Sequence, residues 1–187
     1  MTAIITCLDD STVANGVINS ALWASKQLQQ PVKLLHVLDK KRFPQAPSAS
    51  PSDAMARLDA ERAQLAWAQG KALLEQAQTQ LQQQNINCEI LLRHGRLPQC
   101  VEVLATSAPL VVLGKRGEDS QPGQFIGSQL ENVIRTLQNA VLVATEDFTP
   151  PKKALVAYDN SPTAHKIIHY LASSKLLRGC ELHLLMV

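Results

Sequence analysis

Apolar and polar positions follow two rhythms that alternate along this chain. Ala3–Leu8 is a short apolar, β-branched run closed by Asp9-Asp10-Ser11-Thr12, a cluster that stops a strand and can cap a helix. From Val13 to Gln30, Val13, Val17, Ala21, Ala24 and Leu28 recur at the helical period, with Ile18 and Leu22 widening the stripe. That spacing predicts an amphipathic helix. Val32–Leu38, apolar except for Lys33 and His36, predicts a second strand, and Lys40–Ser52, with Pro44, Pro47 and Pro51, an irregular loop. Ser52 or Asp53 then opens a long helix reaching Gln84. Its apolar stripe includes Met55, Leu58, Leu65, Leu73, Ala77 and Leu81, and its opposite face is rich in Gln and solvated. Cys88–Leu92 predicts a third strand, Arg93–Leu97 a turn, and Pro98 the first position of a helix running to Ser107. Leu110–Leu113 predicts a fourth strand, Ser128–Leu137 a helix and Ala140–Ala144 a fifth strand.

Strict alternation of strands and helices implies an α/β fold, an open, doubly wound parallel sheet with helices on both faces. Ligands of such sheets bind beyond the carboxyl ends of the strands, where the strand order reverses. Attention therefore falls on the residues just after strands one and four. The pattern also repeats. Ile4–Ser11 has a counterpart in Ala154–Ser161, and Leu35-His36-Val37 in Leu182-His183-Leu184, displaced by 150 and 147 positions. Residues 1–148 then form one domain, 149–152 (Thr149-Pro150-Pro151-Lys152) a linker, and 153–187 the β-α-β opening of a second copy. Such a fragment exposes a strand edge and apolar faces, which we expect to pack on the first domain or to pair between chains.

Composition narrows the class. The chain has 187 residues, 45% hydrophobic and 18% charged, with a formal net charge of +2. These values suit a globular protein with one real core, against a disordered, coiled-coil or collagen-like chain. Two net charges predict no strong attraction to nucleic acid or to an anionic membrane. No run of about 18 apolar residues predicts a membrane span, and the N-terminus lacks the basic and long apolar regions of a signal peptide. Cys7, Cys88, Cys100 and Cys180 are widely separated with no CxxC pair, so they read as reduced thiols in a bacterial-type cytoplasm.

The chemistry-bearing segment is Gly114-Lys115-Arg116-Gly117, followed after nine residues by Gly127-Ser128. It places a glycine turn at a strand end and a Gly-Ser pair at a helix start. Glycines let a ligand approach the backbone, and N–H groups at a helix start favour phosphate. Lys115 and Arg116 could add positive charge. The same residues also suit an ordinary turn and cap. Asp9, at the tip of strand one, could accept hydrogen bonds from ribose hydroxyls or a base amine, or could cap a helix. Asp159 repeats it in a segment without the fourth-strand loop. His165 and His169 stand at i, i+4 without a third ligand and read as surface histidines. His36 and His183 read as packed or hydrogen-bonded structural residues, and Trp23 and Trp67 as core. Ser120 and Ser128 have no nucleophile elbow around them, and no Walker sequence occurs.

The GxxGx9G(S/T) arrangement, Cys7-Leu8-Asp9-Asp10-Ser11 and Leu35-His36-Val37-Leu38-Asp39 together resemble the universal stress protein family. The resemblance covers 1–148 as a whole domain and 153–187 as the start of a tandem one. It implies a flavodoxin-like, adenine nucleotide alpha hydrolase-like five-stranded sheet of order 3-2-1-4-5, dimerisation through the fifth strand and, in one subgroup, ATP binding. By position, Cys7, Leu8 and Asp9 would flank adenine and ribose, and Val37 would pack on the base. Leu113, Gly114, Arg116 and Gly117 would line ribose and phosphates, and Gly127, Ser128 and Gln129 would hold the phosphates.

ATP-binding members often carry a second hydroxyl residue soon after the Gly-Ser, where this chain has Gln129-Leu130-Glu131. A Glu131 turned inward would weaken binding or favour AMP or ADP. The expectation is a regulatory, cytoplasmic, homo-oligomeric stress protein that binds ATP or another adenine nucleotide, with Mg²⁺ as companion cation. Any hydrolysis would be slow, since no general base is in evidence. The alternatives are a nucleotide-free dimeric interaction module and, behind it, a nucleotidyl-transfer or phosphatase enzyme on the same scaffold.

Overall fold

A computed structural model describes residues 2–39, 54–117 and 128–186 of the chain. Five parallel strands form one sheet in the order β3-β2-β1-β4-β5: β1 (Ile4–Cys7), β2 (Val32–Asp39), β3 (Cys88–Gly95), β4 (Val111–Gly114) and β5 (Val141–Ala144). This is the flavodoxin-like order the resemblance implies. Its helices are α1 (Ala14–Leu28), α2 (Ala54–Gln83), α3 (Leu97–Ala105) and α4 (Ser128–Thr136).

The strands are apolar on both sides because both sides are covered. Successive residues of β1 enter different layers. Ile4, with Leu34 and Val112, packs under Val17, Ala21, Leu74 and Leu81 of α1 and α2. Ile5 and Cys7, with Leu35, Val111 and Leu113, meet Val101 and Ala105 of α3 and Leu130 and Val133 of α4. The chain leaves β1 toward β2 and β3 on one side, then crosses back to β4 and β5 on the other. The order therefore reverses between β1 and β4, and a crevice opens at the carboxyl ends of those two strands.

Three expectations need correction. Arg93-His94-Gly95 is not a turn but the end of β3, paired in register with Val37-Leu38-Asp39. The expected stripe of α2 is covered only in its second half. Leu74, Ala77 and Leu81 are buried, whereas Met55, Leu58 and Leu65 are exposed, and so is Trp67. Nor does the Asp9–Thr12 cluster cap α1, whose N-cap position is Val13 with no side-chain cap bond. The expected loop over Lys40–Ser52 lies outside the described residues.

After β5 the chain crosses α1. The backbone of Thr145 lies against Gly16, and Phe148 meets Trp23 with ring centroids 5.7 Å apart. It then forms β6 (Lys153–Tyr158), α5 (Pro162–Ser173) and β7 (Glu181–Met186), a separate two-stranded parallel sheet with its helix. Tyr170 Oη donates to the Pro109 carbonyl at 3.3 Å, and Leu176 is buried in the α1/α2 layer of the core. Pro109 precedes β4, so this unit docks at the amino end of the sheet, opposite the carboxyl ends of β1 and β4. Every residue of β7 is exposed.

Candidate functional site

Asp9 stands at the tip of β1, where the ladder to β2 ends with the Leu8 N–H donating to Leu35 O at 2.9 Å. Its Oδ1 accepts from the Ser11 hydroxyl at 2.5 Å and from the Ser11 N–H at 3.3 Å. This is an Asx-type turn, and it holds the carboxylate beside the crevice instead of on a helix end. The segment after β6 shows the same device, with the Ser161 N–H donating to Asp159 Oδ1 at 3.0 Å. There the bonds from Ser161 hold the Asp159 carboxyl below its ordinary range, and Ser161 also caps α5 by accepting from the Ala164 N–H at 3.1 Å.

Across the crevice, the loop after β4 begins with the Lys115 N–H donating to Ala144 O on β5 at 2.8 Å. Gly114 packs against Val13, leaving no room for a side chain, and Gly117 reaches Asp9. A Cβ on Gly117 would stand 3.0 Å from Asp9 Oδ2. The strand-one carboxylate and the fourth-strand glycine loop, separated by more than a hundred positions, therefore meet. Arg116 is exposed beside them, where its guanidinium stays hydrated.

Cys7, Val37 and Leu113 gather in the α3/α4 layer next to this meeting point, with Val37 packed on a cluster that holds the other two. Leu8 differs: its side chain turns into the α1/α2 layer, so only its backbone faces the crevice end. Burial, reinforced by the Asp9 carboxylate and then by Cys100, pushes the Cys7 thiol far above its ordinary range. It is a neutral wall residue and not a nucleophile.

Gln129 is half-buried in the first turn of α4, and Leu130 beneath it is buried. Gly127 lies outside the described residues, and of Ser128 the backbone alone, opening α4, is described. Glu131, whose charge the sequence left in question, is exposed and accepts from Arg135 at 2.7 Å. It is neutralised on its own helix. Among the described residues no group of three His, Cys, Asp or Glu is placed to hold a metal ion. No described helix is long and apolar enough to cross a membrane.

His36 is the packed, hydrogen-bonded residue that the sequence suggested. It is 9% exposed, and its Nδ1 lies 2.8 Å from the Leu8 carbonyl oxygen. The available signal was a histidine in an otherwise apolar strand, which a buried position tolerates only with a hydrogen-bond partner.

The chain is similar over its full length to the universal stress protein Slr1230 of Synechocystis, 30% identical and spanning 70% of that protein. Among solved structures it resembles UspA of Lactobacillus plantarum, with a TM-score of 0.63 at 22% identity over 76% of this chain and 97% of that one. It also resembles a universal stress protein solved in complex with cAMP, with a TM-score of 0.54 at 19% identity over 78% and 98% of the two chains. Residues 1–145 match the universal stress protein family as a whole, and the chain belongs to that family.

Proposed function

We propose that the crevice between β1 and β4 binds an adenine nucleotide and that the protein acts through this binding in a regulatory stress response. The observation that carries the reading is the approach of Asp9 to Gly117. It sets a carboxylate, suited to ribose hydroxyls or a base amine, against a loop whose glycines let a phosphate-bearing ligand approach. Cys7, Val37 and Leu113 supply an apolar flank for the base, and Gln129 and the α4 start, with Gly127 and Ser128, would meet the phosphates. Mg²⁺ would serve only as a companion to phosphate. Binding would stabilise the folded chain by mass action.

The test is calorimetric titration with ATP, ADP and AMP, with and without Mg²⁺, on the wild type and on Asp9→Ala. Saturable binding by the wild type, at least tenfold weaker in Asp9→Ala, supports the reading. Absence of binding by all three nucleotides overturns it. That outcome would favour a nucleotide-free interaction module forming homodimers, a reading supported by the exposed apolar side chains Leu155, Leu184 and Met186.

A further inference from the structure

Leu8 is tied to β2 through both of its backbone groups. Its N–H donates to Leu35 O at 2.9 Å, and its carbonyl oxygen lies 2.8 Å from His36 Nδ1. A carbonyl can only accept, so Nδ1 must carry the proton of the imidazole. The carbonyl belongs to the peptide plane joining Leu8 to Asp9. Fixing its direction fixes the opposed N–H of Asp9 and the position of the Asp9 Cα from which the side chain departs. The other side of the ring is walled by α2. A Cβ on Gly70 would stand 2.6 Å from His36 Cδ2 and 3.0 Å from Nε2, so the helix passes here without a side chain. The imidazole is thus held between α2 and the peptide leading into Asp9.

We infer that His36 is a positioning residue for nucleotide binding: by clamping the Leu8–Asp9 peptide it aims the Asp9 carboxylate across the crevice toward Gly117 and the ligand. The inference rests on the nucleotide reading above. His36 itself does not touch the ligand, since its ring lies in the α2 layer of the sheet. Its contribution passes through Asp9 and must vanish when Asp9 can no longer contribute.

The experiment is a double-mutant cycle on ADP binding, measured by calorimetry on the full chain with wild type, His36→Phe, Asp9→Asn and the double variant. Phe keeps a ring of similar size and loses the donor. His36→Asn is the conservative control, because its Nδ2 is the same number of bonds from the backbone as the histidine Nδ1. Expected are an affinity about tenfold weaker in His36→Phe, recovery to within about threefold in His36→Asn, and no further loss when His36→Phe is added to Asp9→Asn. Should His36→Phe fail to fold, Gly70→Ala replaces it in the cycle, since its new Cβ displaces the same ring from the far side. A loss that adds in full to that of Asp9→Asn, or equal losses in His36→Phe and His36→Asn, overturns the inference while the nucleotide reading stands. A wild type that binds no adenine nucleotide overturns both.

Discussion

Gly16 of α1 and Thr145, just beyond β5, touch backbone to backbone. A Cβ on Gly16 would overlap the Thr145 carbonyl oxygen and stand 2.8 Å from that of Glu146. The segment leaving the sheet therefore lies directly on the helix, and the Trp23–Phe148 contact continues the same crossing one face further along. In an exposed helix, replacing glycine with alanine gains up to about 1 kcal/mol. Here the new atom meets main chain, which cannot rotate away. Gly16→Ala should therefore lose about 3 kcal/mol or more, read as a lower urea midpoint with an unchanged slope.

Thr6, in the middle of β1, is fully buried, and its hydroxyl has no hydrogen-bond partner among the described residues. Valine has nearly the same shape and removes the unpaired group. Thr6→Val should be neutral to stabilising, by up to about 2 kcal/mol, with a thermal midpoint raised or unchanged. A clear drop would mean that the hydroxyl is satisfied in solution.

Burial raises the Cys88 thiol from its ordinary 9.0 to about 11. The folded chain holds this proton more tightly than the unfolded one, so the stabilising contribution is complete below pH 9 and is lost as pH rises toward 11. Urea unfolding from pH 8 to pH 11 should show stability falling, with a shallower fall in Cys88→Ala. Cys7, buried and raised further, and Cys88 should both resist iodoacetamide at pH 8 in the native protein and react once it is unfolded.

Glu131 lies within one turn of the expected phosphate end of the site, yet its carboxylate is engaged by Arg135 at 2.7 Å on the exposed side of α4. Glu131→Gln should therefore change ADP affinity by no more than about twofold, since exposed pairs of this kind are worth little and are screened by salt. A gain of tenfold would place the carboxylate inside the site.

The order of strands within the sheet came from the resemblance, whereas the alternation of rhythms was enough to determine a doubly wound parallel sheet and the order of strands and helices along the chain. The residues between them marked a glycine turn after strand four and Asp9 at the tip of strand one. These features are local: a strand, a helix or a turn leaves its period and its punctuation in consecutive residues. Tertiary structure alone decided which faces are covered. The 30-residue α2, about 45 Å long, outruns the eight-residue strand it packs on. In its first half Met55, Leu58 and Leu65 keep the apolar spacing of a buried face but are not covered by the described residues, and Trp67 lies exposed as well. The sequence likewise shows a histidine in β2 and a glycine in α2 without showing that the ring of one needs the missing side chain of the other. Periodicity reports what a segment can bury. What it meets, and which carbonyl or carboxylate it can hold in place, depends on contacts between residues far apart in the chain.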